Sequence, residues 1–244
     1  ERAGLYVPGG KSPYPSTVLM DSVPAFVAGV KEIAMITPAG ADGSVNPNIL
    51  AAAKVCGITE IYKSGGAQAI AALAYGTESI KPVYKICGPG NLYVTAAKRM
   101  VYGDVDIDML AGPSEVLIVA DKSANPVYVA ADLLSQAEHD EAAACVLVTD
   151  CKELAETVRE EVERQLKTLE KESIARKSVE NYGTIFVTKD LKTAFDIANE
   201  IAPEHLELAL ENAEDSLPLV KNAGTIFVGE YTPEPVGDYF AGTN

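Results

Sequence analysis

The chain has 244 residues, 48% of them hydrophobic and 23% charged, the balance of a globular protein with ample sequence for a core. Twenty Lys and Arg stand against 35 Asp and Glu, a net charge of −15, which argues against a nucleic-acid partner because phosphate neutralisation needs clustered cations. The longest uncharged run, residues 64–77, is 14 residues with three glycines, too short to span a bilayer.

Short apolar runs alternate with amphipathic stretches almost from end to end. Strands are predicted over 4–7 and 32–36, then a helix over 47–56, a strand over 60–63 and a helix over 68–75. A strand over 83–87 leads into a helix over 92–101. Beyond the turn Leu110-Ala111-Gly112-Pro113-Ser114, strands over 115–120 and 144–149 flank a helix over 126–139 that ends at His139. The charged stretch 152–172 carries Leu154, Val158, Val162 and Leu166 at i, i+4 spacing, the pattern of one surface helix with a buried stripe. A strand over 183–188, a helix over 190–201 and strands over 206–210 and 224–229 complete the series. Such alternation predicts an α/β fold of parallel sheets covered on both faces by helices. The turn at 110–114 divides it into two closely packed α/β units, 1–114 and 115–244. Gly-Thr-Ile-Phe-Val occurs at 183–187 and again at 224–228, either as two similar strands in one sheet or as the trace of a duplication.

Four cysteines, Cys56, Cys87, Cys145 and Cys151, form no Cys-x-x-Cys pair. Cys56 and Cys145 lie in apolar runs as buried thiols, the usage of a reduced, cytosolic protein. No signal-peptide pattern opens the chain, and the ends at Glu1-Arg2 and Asn244 read as cuts from something longer.

Four glycine-rich turns are placed between a strand and a helix: Pro8-Gly9-Gly10, Gly65-Gly66-Ala67-Gln68, Gly88-Pro89-Gly90-Asn91 and Ala111-Gly112-Pro113-Ser114. That junction is where doubly wound folds bind ligands. Gly88-x-Gly90-x-x-Tyr93 lacks the third glycine of the dinucleotide fingerprint, so each turn alone also reads as tight-turn chemistry. The chain has two histidines. Gln136 and His139, at i, i+3, suit one shared ion, although a histidine also complements a helix C-terminus. Glu204 and His205 are adjacent where a helix gives way to a strand, and such a pair divides base and acid duties or is merely exposed. Asp238, between glycine-flanked residues after the last strand, is a metal-binding carboxylate or an Asx-turn residue.

Taken together and in order, several segments resemble histidinol dehydrogenase. They are Glu1-Arg-Ala-Gly-Leu-Tyr-Val-Pro-Gly-Gly10, Gly65-Gly-Ala-Gln68, Gly88-Pro-Gly-Asn91, Ala111-Gly-Pro-Ser-Glu115, Asp132-Leu-Leu-Ser-Gln-Ala-Glu-His139, Pro203-Glu-His205, Gly237-Asp-Tyr239 and Gly242-Thr-Asn244. The resemblance implies oxidation of L-histidinol to L-histidine through the aldehyde in histidine biosynthesis, using two NAD molecules. It implies two Rossmann-like domains in a cytoplasmic homodimer, with one Zn2+ in each site. Carried over by motif, zinc falls to Gln136, His139 and Asp238, and acid/base work to Glu204 and His205. Substrate contacts fall to Ser114, Gln136, His139, His205 and Asp238, and NAD contacts to Tyr6, Gln68 and Asn91. The family's fourth zinc ligand is a histidine from the partner subunit's C-terminal tail. This chain, which ends at Asn244, is therefore expected to fold alone but to turn over histidinol poorly. Two other readings share these turns: a dehydrogenase of another amino- or sulfo-alcohol, and a non-catalytic dinucleotide-binding fragment.

Overall fold

In the computed structural model, residues 1–9, 14–110 and 112–241 are described, Asp238 by its backbone alone. Its contacts divide the chain into two units, Glu1–Gly112 and Pro113–Asn244.

The first unit runs β1 (Arg2–Tyr6), α1 (Pro15–Val27), β2 (Glu32–Thr37), α2 (Pro47–Val55), β3 (Glu60–Lys63), α3 (Ala67–Tyr75), β4 (Lys85–Cys87), α4 (Leu92–Val101) and β5 (Asp106–Ile107). All strands are parallel, in the order β3-β2-β1-β4-β5. Central parallel strands are buried on both faces, which is why β1 and β2 read as unbroken apolar runs. Val18 of α1 and Ile49 and Ala53 of α2 pack on one face, against Leu5 and Met35. Ile70 and Leu73 of α3 and Val94 of α4 pack on the other, against Ala34, Ile36 and Ile86. Two elements lie outside the sequence expectation. In α1, Pro24 sits inside the helix, where its ring normally breaks one, and the buried Val18 and Ser22 hold the turn in place. The two residues of β5 are too few to show a period.

The second unit runs β6 (Glu115–Ala120), α5 (Pro126–Ala137), β7 (Ala144–Thr149), α6 (Lys152–Leu166), α7 (Glu172–Tyr182), β8 (Gly183–Val187), α8 (Leu191–Ile201), β9 (His205–Ala209), α9 (Ala213–Ser216), β10 (Thr225–Val228) and α10 (Glu234–Val236). Its parallel order is β10-β9-β6-β7-β8. Counted from its own first strand, this is the order of the first sheet read from the opposite edge. The repeated pentapeptide supplies β8 and β10, the two edges of this one sheet. These are the third and fifth strands of the unit, so the pentapeptide marks similar edge strands, while the shared topology lies between the units. Helices α5, α6 and α7 cover one face through Leu133, Val158 and Ala175. Phe195 and Ala198 of α8 cover the other.

Several boundaries differ from the sequence reading. The stretch 152–172 is not one helix: its stripe of Leu154, Val158, Val162 and Leu166 is buried as expected, but α6 stops at Leu166. A turn follows, and α7 restarts at Glu172 to bury Ala175 and Ser178. Ser178 Oγ donates to the Ala143 carbonyl at 2.8 Å, which ties α7 to the start of β7. The turn containing Gly112-Pro113-Ser114 leads from β5 to β6, strand to strand, rather than into a helix. Gly10, Ala111 and Gly242-Thr243-Asn244 lie outside the described residues. All four cysteines are free; Cys145 is buried as expected, whereas Cys56, at the end of α2, is only half-buried. Among the described residues no helix is long and apolar enough to cross a membrane.

Candidate functional site

In the first unit the candidates gather at the carboxyl edge of the sheet. Tyr6 is the last residue of β1 and is buried. Its hydroxyl accepts from the Gly66 amide at 3.0 Å, pulling the β3–α3 turn toward β1. Gly66 has φ 73°, open to glycine at no steric cost, and Gln68 stands two residues on, exposed in the first turn of α3. The turn after β4 also closes on Tyr6. Gly88 has φ 113°, and a Cβ there would lie 2.1 Å from the Tyr6 carbonyl oxygen. Asn91 ends that turn as the N-cap of α4, its Oδ1 accepting from Tyr93 N at 3.1 Å and Val94 N at 3.2 Å. Thus Gln68 and Asn91 sit on two turns that both meet Tyr6. Gly88 is required by close packing on Tyr6, Gly66 by its positive φ.

Behind Gly88 lies a buried charged group the sequence does not announce. Lys98 Nζ donates to the Gly88 carbonyl at 3.0 Å and pairs with Asp108. Asp108 Oδ2 in turn accepts from Gly88 N at 2.7 Å. Burial, then the neighbouring Asp108 charge, pushes Asp21 up to about 7, against the opposing pull of Lys98. Cys87 is pushed up to about 11, chiefly by burial.

In the second unit the candidates collect at the opposite edge, the amino edge. Ser114 immediately precedes β6, Glu204 immediately precedes β9, and His205 is the first residue of β9. Gln136 lies in the last turn of α5, which runs back to this edge before β7. His139 does not end the helix as expected: α5 stops at Ala137, and His139 lies exposed in the following turn, its N–H donating to the Gln136 carbonyl at 3.2 Å. The general rule for doubly wound sheets puts ligands at carboxyl ends, so this placement is set by tertiary structure.

Several contacts lock this edge. Glu204 Oε2 accepts from Glu115 N at 3.3 Å, next to Ser114, and the Glu204 carbonyl accepts from Thr225 N at 2.9 Å. A Cβ on Gly224 would stand 2.6 Å from that carbonyl, so only glycine lets β10 approach so closely. Ala202, with φ 54° in the left-handed region, turns the chain out of α8 toward Glu204. His205 is 5% exposed, paired in register with Val116 and Thr225, its ring 5.9 Å from that of Phe227. Its Nδ1 is buried without a hydrogen-bond partner, and so is Gln136 Oε1. A buried polar atom without a partner costs about 1–3 kcal/mol, so each is open to a bond from a ligand.

The sequence reading also missed three buried carboxyl groups in this unit. Glu207 stands two residues after His205 on β9 and so faces the same side, and Asp132 stands one turn before Gln136 on α5. Burial pushes Asp132 up to about 6, against the opposing influence of Glu207. Burial, then Asp132 and Glu234, all push Glu207 upward. The visible signal is the charged residue amid the buried run of β9, all five residues of which are buried.

Among the described residues no group of three or more His, Cys, Asp or Glu side chains is placed to hold a metal. The candidate ligands are of another make-up: one amide, one histidine, and Asp238, whose side chain lies outside the description. Its backbone belongs to a π-helical turn over Gly237–Ala241 rather than to an open loop. The partnerless Gln136 oxygen is of a type that fits an ion.

A family model described as histidinol dehydrogenase matches residues 1–244. Histidinol dehydrogenase of Lactococcus lactis is 60% identical over the whole chain, which covers 57% of that relative. That of Bacillus subtilis is 58% identical over the same span, again 57% of the relative. The crystal structure of histidinol dehydrogenase from Elizabethkingia anophelis superposes with a TM-score of 0.93 at 46% identity, covering all of this chain and 56% of that one. The chain therefore spans little more than half the length of these relatives. With a match that runs from the first residue to the last, and with two parallel five-stranded sheets in agreement, the chain belongs to the histidinol dehydrogenase family.

Proposed function

We propose that the protein containing this chain oxidises L-histidinol to L-histidine through the aldehyde, as a zinc- and NAD-dependent homodimeric enzyme of the cytoplasm. Beside the family match, the observation that carries the reading is His205, buried next to Glu204 with Nδ1 unpartnered. In this reading residues 1–114 carry the NAD contacts Tyr6, Gln68 and Asn91. Residues 115–244 carry the zinc ligands Gln136, His139 and Asp238, with Ser114 and His205 also on the substrate. When bound, NAD supplies the hydride acceptor and zinc a template for the substrate's amine and imidazole.

The chain's own residues do the proton work. His205 takes the proton from the substrate hydroxyl as the carbinol carbon gives up hydride. Glu204, held by the Glu115 amide, takes a proton from the water that adds to the aldehyde. A second hydride loss from the hydrate then yields the carboxylate.

The test is NADH formation from histidinol and from histidinal by the full-length protein. His205→Asn lowers both rates by about 10²–10⁴-fold, whereas Glu204→Gln chiefly impairs the aldehyde step. His139→Ala lowers zinc content in metal analysis. Near-parent turnover of both substrates by His205→Asn overturns the assignment of the base. Turnover of another amino- or sulfo-alcohol in place of histidinol replaces the substrate.

A further inference from the structure

The turn after β4 is gripped by a charged pair where its sheet partner gives out. Strand β5 accompanies β4 only as far as Ile107, opposite Ile86, so Gly88 has no strand residue beside it on that side. Side chains take over. Asp108, the residue after β5, accepts the Gly88 N–H on Oδ2 at 2.7 Å. Lys98, the seventh residue of α4, reaches back with Nζ to donate to the Gly88 carbonyl at 3.0 Å. The two side chains pair with each other, and Asp108 Oδ1 also accepts from Met109 N at 2.6 Å, which fixes the carboxylate. Lys98 is 3% exposed, and a lysine is buried to that extent only when its charge is paired and its donors are used. On its other side Gly88 lies against the Tyr6 carbonyl, where no Cβ fits. Asn91, three residues on, caps the same helix that carries Lys98.

We propose that Lys98 and Asp108 are positioning residues for the dinucleotide: by holding both backbone polar atoms of Gly88 they fix the turn 88–91, and with it Asn91, against Tyr6. The inference deepens the function proposed above and rests on it for the identity of the ligand. Lys98, buried behind the turn, acts through the Gly88 backbone rather than on the ligand. The need for such a grip follows from the residues of the turn. Gly88 and Gly90 have a wide choice of backbone conformations, and a turn that must be ordered at the moment of binding loses affinity by that amount. A charged donor on the carbonyl and a charged acceptor on the N–H are the strong kind of hydrogen bond, and together they leave Gly88 one arrangement.

The experiment uses the full-length protein and Lys98→Met, which keeps much of the side chain's length and removes the donor and the charge. NADH binding is read by fluorescence titration, zinc by metal analysis, and hydrogen exchange of residues 87–93, without NADH, by mass spectrometry. Lys98→Met raises the Kd for NADH by about 10–100-fold, raises KM for NAD with it, and speeds exchange over 87–93. Zinc content and KM for histidinol stay at the parent's values, which general damage to the fold would not allow. A Lys98→Met protein that melts cooperatively and binds NADH as the parent does overturns the proposal. So does unchanged exchange over 87–93, or an equal loss of zinc and histidinol binding. Where Lys98→Met does not fold, the double variant Lys98→Met with Asp108→Asn takes its place with the same expected outcomes, because it leaves no lone charge and keeps an acceptor for the Gly88 N–H. A parent that binds no NADH overturns the function proposed above instead, and the exchange measurement still decides the grip.

Discussion

Asp21 is a carboxyl group taken out of water, and that costs the fold stability as pH rises. Its carboxyl is raised from 3.8 to about 7, first by burial and then by Asp108. The unfolded chain releases this proton near pH 4 and the folded chain keeps it until about pH 7, so stability falls through that window and levels off above it. At about 1.4 kcal/mol per pH unit the loss is on the order of 4 kcal/mol. Asp21→Asn removes the penalty. Thermal melts are expected to show the variant gaining on the parent between pH 5 and pH 8; parallel curves would sink the argument. None of this is visible in the sequence, where Asp21 sits in a helix with no sign of what covers it. His205, Glu204, Gln136 and His139 were legible because each belongs to a short ordered motif. Glu207 was not, and Asp132 opens the Gln136 motif without its burial showing there, because a carboxyl group's burial depends on elements distant in the chain.

The turns between elements separate two reasons for glycine. Gly88 and Gly103 have similar backbone angles, φ 113° and φ 106°. Nothing lies within 4 Å of a Cβ built on Gly103, whereas one on Gly88 meets the Tyr6 carbonyl oxygen at 2.1 Å. Gly103→Ala therefore pays conformational strain alone, about 1–2 kcal/mol. Gly88→Ala adds a backbone clash and is expected to cost more than about 4 kcal/mol, the range of exceptional substitutions. Urea unfolding midpoints check the ordering, and equal losses would show that the turn after β4 yields. The elements expected from apolar periodicity kept their type, whereas α1, β5, α7, α9 and α10 went unread and several ends moved. The α5 terminus moved to Ala137, and the long stretch 152–172 broke after Leu166, because capping and packing decide where a helix stops.

Each unit has its own sheet and a core on both faces of it: Leu5 and Ile36 belong to the two clusters of the first, Ile118 and Leu206 to those of the second. Residues 113–244 produced alone are expected to unfold in one cooperative transition by circular dichroism; a chain without a melting transition would show that the unit needs residues outside it. The sequence by itself determined the alternation of strands and helices, the two parallel α/β units that follow from it, and the ordered motifs of the family. Those are properties of neighbouring residues, set by side-chain period and turn chemistry. Tertiary structure alone decided that both sheets share one strand order and that the candidates lie at the carboxyl edge of the first sheet and the amino edge of the second. It alone decided that Asp132 and Glu207 are buried. Burial of that kind comes from packing a helix on a strand far away in the chain, and no local pattern encodes the register between them.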